Sequence, residues 1–265
     1  MNIKKQDKKY IANTYRRFDL DLVKGKKELL YSSDGKEYID MGSGIAVNSF
    51  GVNDEKWKQA VTTQLNLLQH TSNLYYTYPQ VNLAKLLCKK SGMKKVFFAN
   101  SGAEANECAI KAARKYSFDK YNKDRHTIVT LKNSFHGRTI TTLSATGQDI
   151  FHKDFGPFTE GFVYVKADNI EEMEKQITSH KVCAIMLELI QGEGGIIPLD
   201  MDFVLKTEKL CKENDVLLII DEIQTGIGRT GAFYSYMRYG INPDIVTSAK
   251  GLGGGLPIGC ALFND

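Results

Sequence analysis

The sequence predicts an α/β protein with a mostly parallel central sheet and helices on both faces. Three observations carry this expectation. Short runs rich in β-branched residues alternate with amphipathic stretches from residue 95 onward. The runs are apolar nearly throughout, as strands are when both faces of their sheet are covered. No internal repeat and no low-complexity linker interrupts the alternation.

Residues 1–50 stand apart as an N-terminal segment. Within them "KGKKELLYSSDGKEYIDMGSG" reads as a hairpin-like pair of strands around Asp34 and Gly35, outside the main sheet. The lysine-dense start "MNIKKQDKKY" reads as a solvated, frayed terminus. A helix near 54–69 leads into a large domain, residues 51–265. There "KVFFAN" (95–100) precedes a helix from about 102 to 118, and "TIVTL" (127–131) and "GFVYV" (161–165) follow. A helix near 169–179, "CAIMLEL" (183–189), a helix near 202–213, "VLLIID" (216–221), "DIVTSA" (244–249) and the strand "CALFN" complete the series.

Composition narrows the function. With 42% hydrophobic and 25% charged residues the chain is ordinary for a soluble globular protein. A net charge of +4 from dispersed lysines gives no nucleic-acid surface. The start lacks the apolar stretch of a signal peptide, and "VLLII" at 216–220 is far short of the roughly 20 residues that span a bilayer. Five widely spaced cysteines without CxxC imply reduced thiols in a cytoplasm. The five histidines show neither HxxH nor HExxH, so no metal site is expected.

In parallel sheets ligands gather beyond the carboxyl ends of the strands. After "KVFFAN" comes "SGAEANECAIKAAR", where Ser101 and Glu104 have the spacing of a capping box. This reads first as a well-capped helix, and its N–H groups at Gly102 and Ala103 are also placed to hold a phosphate. After "TIVTL", the stretch "FHGRT" offers Phe135 as a flat apolar face and Arg138 as a bidentate grip for a carboxylate. The plain alternative is a surface turn with a packed phenylalanine. After "CAIMLEL", the loop "IQGEGG" carries Glu188, Gln191 and Glu193 around adjacent glycines.

"VLLIIDEIQTGIGRTG" places Asp221 at the end of an apolar strand, with Glu222, Ile223 and Gln224 after it. Successive side chains on an extended strand point apart, so the two acids should not converge. Asp221 wants a cationic partner, either a metal, which no His or convergent second acid supports, or a protonated heterocycle nitrogen; the plain alternative is an Asp that caps the next turn. Lys250 follows the last parallel strand, before "GLGGG". A free lysine, with a pKa of about 10.4, is an unprotonated nucleophile only about once in 2,500 at pH 7, so it needs desolvation or a neighbouring cation to react. The alternatives are a phosphate-binding lysine or a lysine on a glycine loop, although neither GxGxxG nor GxxxxGK[ST] is present. Phosphate cradle, aromatic face, carboxylate, amide and lysine together are the parts of a pyridoxal phosphate site.

"NSGAEANE", "FHGRT", "IQGEGG", "DEIQTGIGRTG" and "TSAKGLGGGLPIG" resemble, in order and spacing, the class III, ornithine-type aminotransferases of pyridoxal phosphate fold type I. "GIAVNSFG", "HTSNLYYTYPQ" and "GAFYSYMRYGINPDIVTSAK" resemble the branch acting on N2-acetylornithine in arginine biosynthesis. Ornithine, succinylornithine and 4-aminobutyrate are the rival amino donors within that class, and an inactive truncated fragment of such an enzyme is the remaining alternative. The resemblance implies that Gly102 and Ala103 hold the cofactor phosphate, Phe135 and Ile223 cover the two ring faces, and Asp221 pairs with the ring nitrogen. Gln224 would lie near the ring hydroxyl, with Glu222 also in the cofactor-binding stretch. Lys250 would anchor the cofactor covalently and move the proton. Arg138 would take a substrate carboxylate, and Glu188 and Glu193 would line or gate the substrate side.

The resemblance also implies amino-acid and 2-oxo-acid substrates, a cytoplasmic homodimer, and an N-terminal segment belonging to a small domain. The rest of that small domain, a partner-subunit hydroxyl for the phosphate and an arginine for the gating glutamate are expected beyond Asp265. Two positions bear on detail. Gly44 and Ile45 stand where ornithine enzymes usually carry a tyrosine, and Leu189 stands where the family usually has proline, which is expected to loosen the loop.

Overall fold

The computed structural model describes residues 3–121, 124–179 and 181–264, so Met1, Asn2 and Asp265 lie outside it. The chain divides into two compact units, residues 1–71 and 72–265.

In the first unit the lysine-rich start is helical rather than frayed: α1 (Ile3–Tyr10) buries no residue. The expected hairpin is present as β2 (Leu29–Ser32) and β3 (Glu37–Ile39), turning through Asp34 and Gly35, where φ is 84°. It gains a strand the sequence reading missed, β1 (Leu22–Lys26), which gives an antiparallel sheet in the order β1-β2-β3. The short element α2 (Ser43–Ala46) is a left-handed turn, with φ of 49, 64, 62 and 61° at its four residues. Only one of the four is glycine, so the turn carries a strain of about 1–2 kcal/mol at each of the others. Asp54 caps α3 (Glu55–Leu65), its carboxylate accepting the Trp57 N–H at 2.8 Å.

The second unit opens with α4 (Tyr78–Ser91), absent from the expected elements. Its boundaries are nonetheless written in the sequence: Pro79 at the start, and Gly92 as a left-handed C-cap with φ of 79°. There follow β4 (Lys95–Ala99), α5 (Gly102–Tyr121), β5 (Thr127–Leu131), α6 (Ile140–Ala145) and α7 (Asp149–His152). Next come β6 (Phe162–Val165), α8 (Ile170–Ile177), β7 (Val182–Leu187), the two-residue pair β8 (Ile190–Gln191) and β9 (Ile197–Pro198), and α9 (Met201–Glu213). The series ends with β10 (Leu217–Asp221), α10 (Tyr236–Tyr239), β11 (Ile245–Ser248) and β12 (Gly259–Phe263).

Seven strands form one sheet in the order β4-β12-β11-β10-β7-β5-β6. All neighbours from β11 to β6 pair in parallel, and only β12 runs against the rest, antiparallel to both β11 and β4. The central strand β7 is buried at every position, which is why "VCAIML" reads as a continuous apolar run. Each fully buried Ile, Leu or Met there contributes about 1.5–3 kcal/mol of transfer free energy. On one face α5 lies close to the sheet because its buried stripe is built from small residues, Ala105, Asn106, Ala109, Ala113 and Ser117, with Ile110 among them. One sheet edge therefore collects the ends of β4, β5, β7, β10 and β11.

Candidate active site

Asp221 ends β10 in register with Thr247 of β11 and is only 4% exposed. Three donors hold it. Its Oδ2 accepts from Asn106 Nδ2 and His136 Nδ1, both at 2.8 Å, and its Oδ1 accepts the Ile223 N–H at 3.0 Å. A buried carboxylate is tolerable only when hydrogen-bonded and charge-balanced, and His136 supplies part of the balance. Burial alone would lower the pKa of the His136 imidazole. Its hydrogen bond and attraction to Asp221 outweigh that, so its pKa is raised.

The turn after β4 is capped as expected, with one difference. Ser101 Oγ accepts the Glu104 N–H at 3.2 Å, while Glu104 Oε2 takes the N–H of Asn100 at 2.8 Å. The reciprocal bond thus falls one residue earlier than a standard capping box places it. Gly102 and Ala103 precede the Ala105 N–H to Ser101 carbonyl bond (3.1 Å), which leaves their own N–H groups as helix-end donors. A Cβ on Gly102 would come within 2.8 Å of the Ile223 side chain, so backbone and Ile223 close upon each other there.

Phe135 and Arg138 share the turn after β5. The Phe135 ring meets Phe151 edge-on at 5.6 Å, and the Arg138 guanidinium sits 5.9 Å from the Phe135 ring. Gly137, at φ of 137°, is required: a Cβ would approach Thr142 Oγ1 at 2.5 Å. Glu188, just past β7, holds this turn by accepting the Phe135 N–H at 2.8 Å, and it also accepts from Gly192 at 3.4 Å. Burial, and secondarily the Asp221 charge, push the Glu188 carboxyl up to about 7, against the pull of His136 and its two N–H donors.

The loop from Gln191 to Ile196 is tied down. β8 and β9 close it, Gln191 Nε2 donates to the Lys132 carbonyl at 2.9 Å, and Glu193 accepts from Gln148 Nε2 at 2.6 Å. Leu189, expected to loosen this loop, is fully buried, and its carbonyl accepts from Leu199 N–H at 3.0 Å and Tyr239 Oη at 3.2 Å. Gly192 lies against the Gln224 amide, which would have to shift to admit a Cβ there. Lys250 follows β11 in a 3₁₀ turn with φ of 46°. Burial lowers its amine, opposed in part by the nearby Asp221 and Glu188 charges. Desolvation of this kind makes a lysine nucleophilic near neutral pH.

Lys250 and Glu188 therefore lie within electrostatic reach of Asp221, and hydrogen bonds run on from these acids to His136, Phe135 and Gly192. Glu222 does not belong with them. Its carboxylate is fully buried on the other side of the strand end, accepting from Thr225 Oγ1, Ser235 Oγ and the Tyr236 N–H. The alternation of the strand dictates this, so the place given to Glu222 in the cofactor-binding stretch is corrected to a structural one. Two residues were missed, Asn106 and His136. The signal for Asn106 was a lone amide on the small-residue stripe of α5. No sequence signal separates His136 from an ordinary turn histidine. Among the described residues there is no cluster of three or more His, Cys, Asp or Glu that could hold a metal.

The chain matches the model of the class-III aminotransferase family over residues 10–265. The acetylornithine aminotransferase of Haemophilus ducreyi is 55% identical over 99% of this chain and 67% of its own length. The solved N-acetylornithine aminotransferase of Stenotrophomonas maltophilia K279a is 36% identical, with a TM-score of 0.85 over 98% of this chain and 65% of that one. The ornithine aminotransferase of Toxoplasma gondii ME49 superposes with a TM-score of 0.95 at 30% identity, over 99% of this chain and 63% of that one. The chain spans about two thirds of the length of the relatives it matches.

Proposed function

The chain belongs to the class-III aminotransferase family, and from that premise we propose that it carries the pyridoxal phosphate site of a transaminase moving the δ-amino group of N2-acetylornithine to 2-oxoglutarate. The observation that carries the reading is the desolvated lysine beside a buried carboxylate whose Oδ1 receives a single protein donor. The donor set fits the cofactor. Gly102 and Ala103 offer N–H groups at the start of a 20-residue helix for its phosphate. Phe135 and Ile223 are apolar surfaces for its ring, Asp221 suits its ring nitrogen, and Gln224 suits its hydroxyl.

When bound, pyridoxal phosphate supplies an aldehyde that takes up the amino group and a ring that withdraws electrons from the carbon losing its proton. The protein does the rest. Lys250 Nζ would hold the cofactor between turnovers and, once released from it, would be the base for the proton on the substrate's amine-bearing carbon. Burial lowers its pKa from that of a free lysine, against the pull of Asp221 and Glu188, and so raises the share of unprotonated amine. Asp221, as a carboxylate, favours the protonated ring nitrogen by about 1–3 pKa units. Arg138, exposed in its turn, presents its guanidinium to a substrate carboxylate, and Glu188 and Glu193 line or gate the substrate side.

N2-acetylornithine is favoured by the relatives' names, and Gly44 and Ile45, where ornithine enzymes usually carry tyrosine, speak against ornithine alone among the rivals. We place the protein in the cytoplasm as a homodimer on the same reading, with its five cysteines free. The test is the intact mass of the 265-residue chain after pyridoxal phosphate and borohydride, beside Lys250→Ala. One reduced adduct on the native chain, absent from the variant, is expected. No adduct, or one that survives the substitution, overturns the reading. Half-reactions with N2-acetylornithine, succinylornithine, ornithine and 4-aminobutyrate then rank the donors.

A further inference from the structure

Asn106 sits in the second turn of α5 with no exposed surface. Its Nδ2 group donates twice, to the His136 carbonyl at 2.7 Å and to Asp221 Oδ2 at 2.8 Å. Both partners are acceptors, so the amide orientation is fixed by chemistry. One side chain therefore joins three elements: the helix that starts at Gly102, the turn that carries Phe135, and the end of β10. Its Oδ1 is buried without a partner. A buried half-satisfied amide in a helix interior is costly on both propensity and desolvation, and it is retained where its other contacts matter more.

The distribution of donors around Asp221 is uneven. Oδ2 receives two, from Asn106 and His136, while Oδ1 receives only the Ile223 N–H. We propose that Asn106 is a positioning residue that pins Asp221 through Oδ2, sharing that oxygen with His136, so that Oδ1 is the atom presented to the ring nitrogen. The last clause rests on the pyridoxal phosphate reading. The division of Oδ2 between an amide and an imidazole does not, and it can be measured without cofactor.

The two donors compete for one oxygen. Removing the amide leaves more negative charge on Oδ2 for His136, so the imidazolium is held more firmly and titrates higher. The other charged group acting on His136 is the Glu188 carboxyl. It is not touched by a change at position 106.

The experiment is an NMR titration of the His136 ring in the cofactor-free chain, assigned with His136→Gln, comparing native protein with Asn106→Leu. Asn106→Ala, which favours helix, serves as a second variant should leucine disturb packing. The expected result is a rise of the His136 midpoint by about half a unit to one unit, and no such rise when either change is made in an Asp221→Asn background. An unchanged midpoint, or the same rise without the Asp221 carboxylate, overturns the proposal. Pyridoxal phosphate affinity is then measured by absorbance. It should weaken about tenfold, the value of one hydrogen bond to a charged group, and only while Asp221 is present. An equal loss in both backgrounds overturns the claim about Oδ1. If the native chain takes up no cofactor although the titration behaves as described, the cofactor reading fails and the pinning of Asp221 stands.

Discussion

At the end of β10 two consecutive carboxylates face opposite sides of the sheet, and their surroundings differ in kind. Glu222 is enclosed by hydroxyls and a backbone N–H belonging to one local stretch, Thr225 to Tyr236. Asp221 is held by residues from distant parts of the chain, Asn106 and His136, and lies beside a lysine. The first arrangement closes a loop. The second gathers separate elements at one charged point, which is what a binding site requires. Adjacent acids with similar burial are thus distinguished by where their donors come from.

This contrast is broken most sharply by neutralising each acid in turn. Asp221→Asn is expected to lower the rate of the amino-donor half-reaction by about 10–10³-fold, the kinetic equivalent of the 1–3 pKa units it lends the ring nitrogen. Its stability in urea unfolding should fall by only about 1 kcal/mol, because Asn keeps an acceptor for the two donors on Oδ2 and gives up only the one that receives the Ile223 N–H. Glu222→Ala should do the reverse. Stranding Ser235, Thr225 and the Tyr236 N–H is expected to cost about 3 kcal/mol in urea unfolding, while the folded fraction still takes up cofactor. Equal effects of the two changes on both readouts would dissolve the comparison.

A subtler probe is pH. The Glu188 carboxyl is raised to about 7 in the folded chain, against about 4.5 when unfolded. A raised carboxyl binds its proton better in the folded state, so its contribution is complete below pH 4.5 and is lost as pH rises through 7. Raised His136 shares that sign. Native protein should therefore lose stability on the order of 3 kcal/mol relative to Glu188→Gln between pH 4.5 and 7.5, read from urea midpoints of both. The smallest expected effect is at Gly102. Gly102→Ala forces its new methyl against Ile223 and should cost about 1–2 kcal/mol of stability, with a parallel loss of cofactor affinity measured by absorbance.

The strands of the large unit were legible because burial on both faces writes them as apolar runs, and β7 is the clearest case. The site was legible in part for a related reason. Residues that follow strands in a parallel sheet must share an edge, so "NSGAEANE", "FHGRT", "DEIQ" and Lys250 could be brought together without coordinates. What periodicity could not supply was the partner of Asp221. Asn106 stands within a helix and His136 within a turn, and only the packing of α5 across β11 and β12 brings them to one carboxylate. The α4 helix was missed because its exposed face, with Tyr78, Val81 and Leu86 open to solvent, blurs the apolar stripe. The third strand of the N-terminal sheet was missed because β1, "LVKGK", carries two lysines and a glycine.

The reversed strand β12 has a consequence for how the protein is made. β4 has no other partner in the sheet: Ala99 pairs with Gly259, near the far end of the described chain. A Cβ on Gly259 would run into the backbone of Ser101, so the last strand also abuts the turn that begins α5. During synthesis β4 and its helix emerge early, yet the strand that covers them arrives after β5, β6, β7, β10 and β11 have been threaded out. The turn at Gly102 is thus translated before most of the large unit and is among the last parts closed. Until then β4 presents two unpaired edges, a loop-closure delay during which a nascent chain is most exposed to association with its neighbours on the same message.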